Sequence, residues 1–195
     1  DCRAGTYQNE EGQSVCKECA AGKHASGTAS KNESACENCP SGKYQSSAGQ
    51  GLCESCEAGK SSAVEGSSSA DDCTPCGAGN YTGKQAATAC DVCATGSIVT
   101  KEGDASPVAS AGTKCTACPA GEYSSSPSSE ACIKCGAGKH VAATGSASAD
   151  DCADCRAGTY QDVEGGSGCK ECSAGTSNAH EGQREAGDCI ACEAG

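Results

Sequence analysis

All but the first of the 21 cysteines in this chain fall in Cys-x2-Cys pairs, at 16/19, 36/39, 53/56, 73/76, 90/93, 115/118, 132/135, 152/155, 169/172 and 189/192. Thiols at that spacing support three chemistries: cross-linking once oxidised, zinc binding as thiolates taken four at a time, and dithiol redox catalysis. The redox reading needs an α/β scaffold and a helix N-terminus to lower the thiol pKa, and neither is legible here. Zinc is the serious rival, because pairs separated by 13 or 16 residues fit four-thiolate sites. Zinc modules, however, use pairs two at a time and need linkers between sites. Here each pair stands in the same relation to both neighbours, so a disulfide array is the leading reading.

Sequence alone does not fix the connectivity. Three points favour joining the second cysteine of each pair to the first of the next. Bonds within Cys-x2-Cys are strained, a bridge closing about 15 residues contributes roughly 3 kcal/mol by loop-closure entropy, and this scheme uses every pair. It gives Cys2–Cys16, Cys19–Cys36, Cys39–Cys53, Cys56–Cys73, Cys76–Cys90, Cys93–Cys115, Cys118–Cys132, Cys135–Cys152, Cys155–Cys169 and Cys172–Cys189. Cys192 is left unpaired within the segment, to be satisfied by a following repeat, and the chain reads as a window on a longer array.

The elements that must position these thiols are short and repeated. Gaps between pairs alternate between 13 and 16 residues, with one of 21 between Cys93 and Cys115, so the unit is 37 residues and two loops. Repeats run 1–38, 39–75, 76–117, 118–154 and 155–191, and 192–195 opens a sixth. The third carries five extra residues within 94–114, expected as a surface loop extension. Short loops open Cys-x2-Gly-x-Tyr and place Tyr7, Tyr44, Tyr81, Tyr123 and Tyr160; long loops carry His24, Ser61, Ile98, His140 or Ser177 there. The glycine three positions after each opening cysteine suits a turn with positive φ. Each tyrosine is then expected to lay its ring over a neighbouring bridge or backbone, hydroxyl outward.

Composition explains why bridges are needed. The 36% hydrophobic content is mostly Ala and Cys, with 11 Val, Ile or Leu, no Phe, Trp or Met, and a net charge of -12. Without cross-links such a chain falls in the disordered class. No window has the period of an apolar helix or a buried strand, so no catalytic domain and no cofactor are expected. Acidic residues outnumber basic ones 26 to 14, which disfavours nucleic acid. No apolar run is long enough for a membrane span, and no signal peptide opens the segment. The expected fold is a small disulfide-rich repeat array. It would be an elongated rod of short β-hairpin-like loops with little or no helix, roughly 100 to 150 Å long at about one sheet spacing per loop.

The pattern Cys-x2-Gly-x-Tyr-x8-Cys-x2-Cys, as at 2–19 and 39–56, resembles the cysteine-rich repeats of the tumour necrosis factor receptor family and the related ephrin-receptor-like repeats. The short loops are similar to the single-bridge module of those receptors, and the long loops to their two-bridge module with one bridge missing. Arrays this rich in Ala, Gly and Ser also resemble surface and flagellar-hair (mastigoneme) proteins of algae and other protists, where the implied role is structural.

The functional expectation is an extracellular, cell-surface structural protein, a stalk, coat or filament subunit and not an enzyme. Its partners would be copies of itself or other surface proteins. A ligand-binding receptor ectodomain and a zinc-binding Cys-x2-Cys array are the alternatives. Asn32 and Asn80 head N-glycosylation sequons, and the serines of 124–129 could carry O-glycans. His24 and His140 occupy equivalent loop positions and read as replacements for tyrosine. The pairs Asp71/Asp72 and Asp150/Asp151 read as a solvated face, since no EF-hand pattern surrounds them.

Overall fold

A computed structural model describes residues 1–102, 108 and 110–192. With so few large apolar side chains most strands bury no face, and they form where a bridge holds two segments together. Most are two residues long: Thr6–Tyr7 pairs antiparallel with Lys17–Glu18, Lys23–His24 with Glu37–Asn38, and Lys43–Tyr44 with Glu54–Ser55. Among the described residues each sheet has two strands, consecutive in the chain. The helical content described is four single 3-10 turns, at Glu33–Ala35, Ala70–Asp72, Ala149–Asp151 and Ala186–Asp188. The array is therefore the small disulfide-rich repeat fold, built from ten bridged loops numbered here 1 to 10 along the chain.

Contacts divide it into two units, residues 1–91 with 110–114, and the described parts of 92–109 and 115–195. Both units use the same device between consecutive loops. In loop 1 the Gly5 amide donates to the Ala25 carbonyl of loop 2, and the Cys19 amide donates back to the Gly5 carbonyl. The Ala29 amide donates to the Cys2 carbonyl, and the Gln8 amide to the Ser30 carbonyl. In the second unit Gly121, Cys135, Gly145 and Ser124 donate in the corresponding way to Val141, Gly121, Cys118 and Ser146. Backbone groups that the tiny sheets leave unpaired thus find partners one loop along.

Two left-handed residues per loop make this fit. The first is the expected glycine, with φ between 73° and 90° in all ten loops. It sits third in a tight turn closed by an amide such as that of Thr6 on the Arg3 carbonyl, a place that calls for glycine. The second stands ten positions after the opening cysteine and is Gly12, Ala29, Gly49, Gly66, Ala86, Ser128, Gly145, Gly165 or Gly182. Its carbonyl reaches back two loops. A β-carbon on Gly5 would overlap the Gly49 oxygen, and one on Gly121 the Gly165 oxygen. Contact therefore extends from a loop to the next but one, which is the same loop of the neighbouring 37-residue repeat.

The difference between short and long loops is a structural one. Seven positions separate Ala29 from Cys36, but four separate Gly49 from Cys53, and the extra three are the 3-10 turn at Glu33–Ala35. Loop 6 departs from both types. Its left-handed residue, Ala111, lies 18 positions beyond Cys93 and four before Cys115. It closes like a short loop and is enlarged in its opening half, where Ser97–Thr100 forms a longer strand and Ile98, Val99 and Thr100 are buried. The surface extension expected within 94–114 lies in part outside the described residues, which leave out 103–107 and 109.

Candidate functional site

The site of this protein is the ladder itself. Bonded pairs are Cys2–Cys16, Cys19–Cys36, Cys39–Cys53, Cys56–Cys73, Cys76–Cys90, Cys93–Cys115, Cys118–Cys132, Cys135–Cys152, Cys155–Cys169 and Cys172–Cys189, with Cα separations of 5.5 to 5.8 Å. Cys192 is a free, exposed thiol whose sulfur lies 3.7 Å from the Ser177 hydroxyl. Sulfur fills the place of a core: Cys39, Cys93, Cys118, Cys135 and Cys155 are wholly inaccessible.

Within each unit, bridges are roofed by a residue of the preceding loop. Tyr7 packs on Cys19, Cys36 and Ala25, and Tyr123 on Cys135, Cys152 and Val141. The long-loop residues at the tyrosine position do the same for the short loops: Ser61 Oγ lies 3.4 Å from Cys90 Sγ, and His140 Nδ1 lies 3.2 Å from Cys169 Sγ. Under tyrosine both sulfurs of the bridge are buried, as at Cys19–Cys36 and Cys135–Cys152, whereas Cys90 under Ser61 and Cys169 under His140 stay half-buried.

Other side chains finish the seal. The glutamine after the tyrosine spans the short loop, with the Gln45 side-chain amide donating to the Leu52 carbonyl at 2.8 Å and Gln8 and Gln161 bonding to Val15 and Gly168. The recurring Tyr-Gln dipeptide is the sequence signal for this brace. The acidic pairs act as caps. Asp72 accepts from the amides of Ser68 and Ser69 while Ser69 Oγ accepts from the Asp71 amide, and Asp151 with Ser148 repeats the arrangement. Ser-x-x-Asp is the capping-box spacing and could have been read as such. Asn32 is exposed at the start of a 3-10 turn and bonds to Ser34. Asn80 is half-buried in a strand, with Thr82 of its sequon buried.

Charges sit outside the seal. Hydrogen bonding to Lys17 at 2.7 Å lowers the Glu10 carboxyl pKa, and Lys170 at 2.6 Å lowers that of Asp162; both lysines are raised in return. The lowered carboxyls stabilise above the ordinary carboxyl pKa and lose that contribution as pH falls through their lowered values. The raised lysines contribute below the ordinary lysine pKa and lose it as pH rises through their raised values. The pairs thus act across neutral pH, and weakly, since water surrounds them. Tyr44 donates to Glu54 at 2.9 Å, and this bond, with burial and the nearby negative charge, raises its phenol pKa. Glu54→Ala should move the titration of one tyrosine to lower pH in the tyrosinate absorbance while the disulfide map stays fixed. An unchanged absorbance curve would mean the bond is not made in solution.

A family model described as tyrosine-protein kinase ephrin type A/B receptor-like matches residues 1–36, 27–73, 106–152 and 149–189. The chain belongs to this family. No curated protein matches it. Ephrin-receptor-like cysteine-rich repeats closed by a disulfide ladder belong to an oxidising compartment, and they support an extracellular cysteine-rich repeat protein. Among the described residues no helix is long and apolar enough to cross a membrane.

Proposed function

We propose that this ephrin-receptor-like array is a non-catalytic structural element, a stalk, coat or filament subunit that docks with copies of itself or with other surface proteins. The observation that supports this reading is uniformity. The backbone seal that joins loop 1 to loop 2 also joins loop 7 to loop 8, and roofs of different side chains sit over bridges of one geometry. Selection for a repeated mechanical unit explains such sameness. A receptor's binding site for a protein ligand would instead single out a continuous surface of particular loops.

Load on such a chain travels through sulfur. Cys2 to Cys16 is 5.7 Å through space, while the fourteen peptide steps between them would extend much further. Pulled from its ends with bridges closed, the chain should lengthen little beyond its Cys-x2-Cys links. Each short-loop bridge reduced under load should release about 40 Å, read as equal steps in single-molecule extension.

The experiment that tests the role is imaging of the native assembly by negative stain. Fibres or regular lattices are expected. Isolated particles that take up a soluble protein ligand would replace the structural reading with that of a receptor ectodomain, which the family's description favours.

A further inference from the structure

Two of the roofs are histidines, and packing does not require them. At that position the chain uses Ser61 over Cys76–Cys90 and places Ile98 in the loop before Cys118–Cys132. His24, in contrast, sets one ring nitrogen and the sulfurs of Cys39 and Cys53 within 4.8 Å of one another, and His140 does so with Cys155 and Cys169. His140 Nδ1 is 3.2 Å from Cys169 Sγ. His24 Nδ1 is buried with no hydrogen-bond partner. An orphaned buried nitrogen is costly and calls for a reason. One imidazole nitrogen and two cysteine sulfurs, brought together twice in one chain, are a zinc donor set held in oxidised form.

We propose that His24 with Cys39 and Cys53, and His140 with Cys155 and Cys169, are metal sites opened by reduction, each taking one zinc ion when a small thiol has cleaved its bridge. In the reductive step two thiol molecules become one disulfide, and each protein sulfur gains an electron and a proton as the S–S bond breaks. In the binding step zinc replaces the two thiol protons, which leave to solvent, and accepts the Nδ1 lone pair; water completes the tetrahedron. The backbone suits both states. Sulfurs on a tetrahedral zinc at about 2.3 Å stand roughly 3.8 Å apart. Cα separations of 5.8 Å for Cys39–Cys53 and 5.7 Å for Cys155–Cys169 reach that spread by side-chain rotation. Beside the second site an open groove of about 210 Å³, walled by His140, Asp154, Arg156, Thr159, Cys169 and Glu171, gives the ion a path and the water its place, with the Arg156 charge turned to Glu171 at 3.6 Å.

The chain supplies its own controls, because the bridges under Ser61 and beyond Ile98 close the same loop type without an imidazole. The intact chain is equilibrated in a glutathione redox buffer with and without zinc, quenched in acid, stripped with chelator and alkylated, and the reduced fraction is mapped at each bridge. With zinc at about ten times its dissociation constant, the ratio of reduced to oxidised should rise about tenfold at Cys39–Cys53 and Cys155–Cys169. It should stay unchanged at Cys76–Cys90 and Cys118–Cys132. His24→Ser should cancel the effect at the first bridge only and His140→Ser at the second only. Both variants should keep the wild-type map without zinc, since serine already serves in this position at Ser61. A zinc effect equal at all bridges, absent from these two, or surviving the serine substitutions would overturn the proposal.

Discussion

Reduction of the ten bridges is expected to unfold the chain at room temperature in plain buffer, with no denaturant. Each bridge over about 15 residues limits the unfolded ensemble by roughly 3 kcal/mol, and little else opposes the conformational entropy of ordering. The largest fully buried side chains are cysteines together with Val99, Thr100 and Ser124, while Val15, Leu52, Val64 and Ile190 lie mostly in water. Strands of two residues cannot stand alone. Small-angle scattering should give a radius of gyration near 47 Å after reduction and alkylation, roughly that of an unfolded chain of this length. Dispersion of amide resonances should vanish with it. The same sample with bridges closed should keep its dispersion in acid, since disulfides do not titrate and the surface ion pairs contribute little. Retention of dispersed resonances after complete alkylation would show that packing, not sulfur, carries the fold.

Much of this was legible because cysteine spacing is a covalent constraint that sequence prints directly. The alternation of 13 and 16 residues, the glycine three after each cysteine, and the tyrosine two further on announced a repeated bridged loop. The features that stayed hidden depend on neighbours. The second left-handed position is glycine in some loops but Ala29, Ala86, Ala111 or Ser128 in others, so residue type hides a conformation that the Cys2 or Cys56 carbonyl imposes by accepting its amide. The long loops were visible as three residues longer, yet only the capping of Ser69 and Asp72 shows that those residues make a 3-10 turn. Loop 6 reads as a simple insertion from its cysteines, but Ala111 places the enlargement ahead of the turn and shortens the closing half of the loop. The histidines read as substitutes for tyrosine, and their approach to sulfur of another loop has no signature along the chain.

Reach across two loops has a consequence that single-site substitution can expose. Gly121 and Gly145 both hold left-handed backbone, with φ of +90° and +75°. A β-carbon at Gly145 would make only ordinary van der Waals contact, with the Ala117 side chain at 3.6 Å and the Gly96 carbonyl oxygen at 3.9 Å, whereas at Gly121 it would overlap the Gly165 carbonyl. Gly145→Ala therefore feels only the left-handed backbone, about 1 to 2 kcal/mol, partly offset because alanine restricts the unfolded chain. Gly121→Ala must also move backbone, which a flexible side chain could not relieve, and should cost about 3 kcal/mol or more. The damage should appear where the seal is made, at the amides of Gly165 and Cys135, which bond to the Cys135 and Gly121 carbonyls. Native-state hydrogen exchange with all bridges closed reads this directly. Those amides should lose most of their protection in Gly121→Ala and little in Gly145→Ala, while amides of loops 1 to 3 exchange as in wild type. Equal losses in the two variants would mean that left-handed backbone alone calls for glycine and that loops touch only their immediate neighbours. A loss confined to the second unit would instead identify the carbonyl two loops away as the contact that keeps each bridged loop from opening independently.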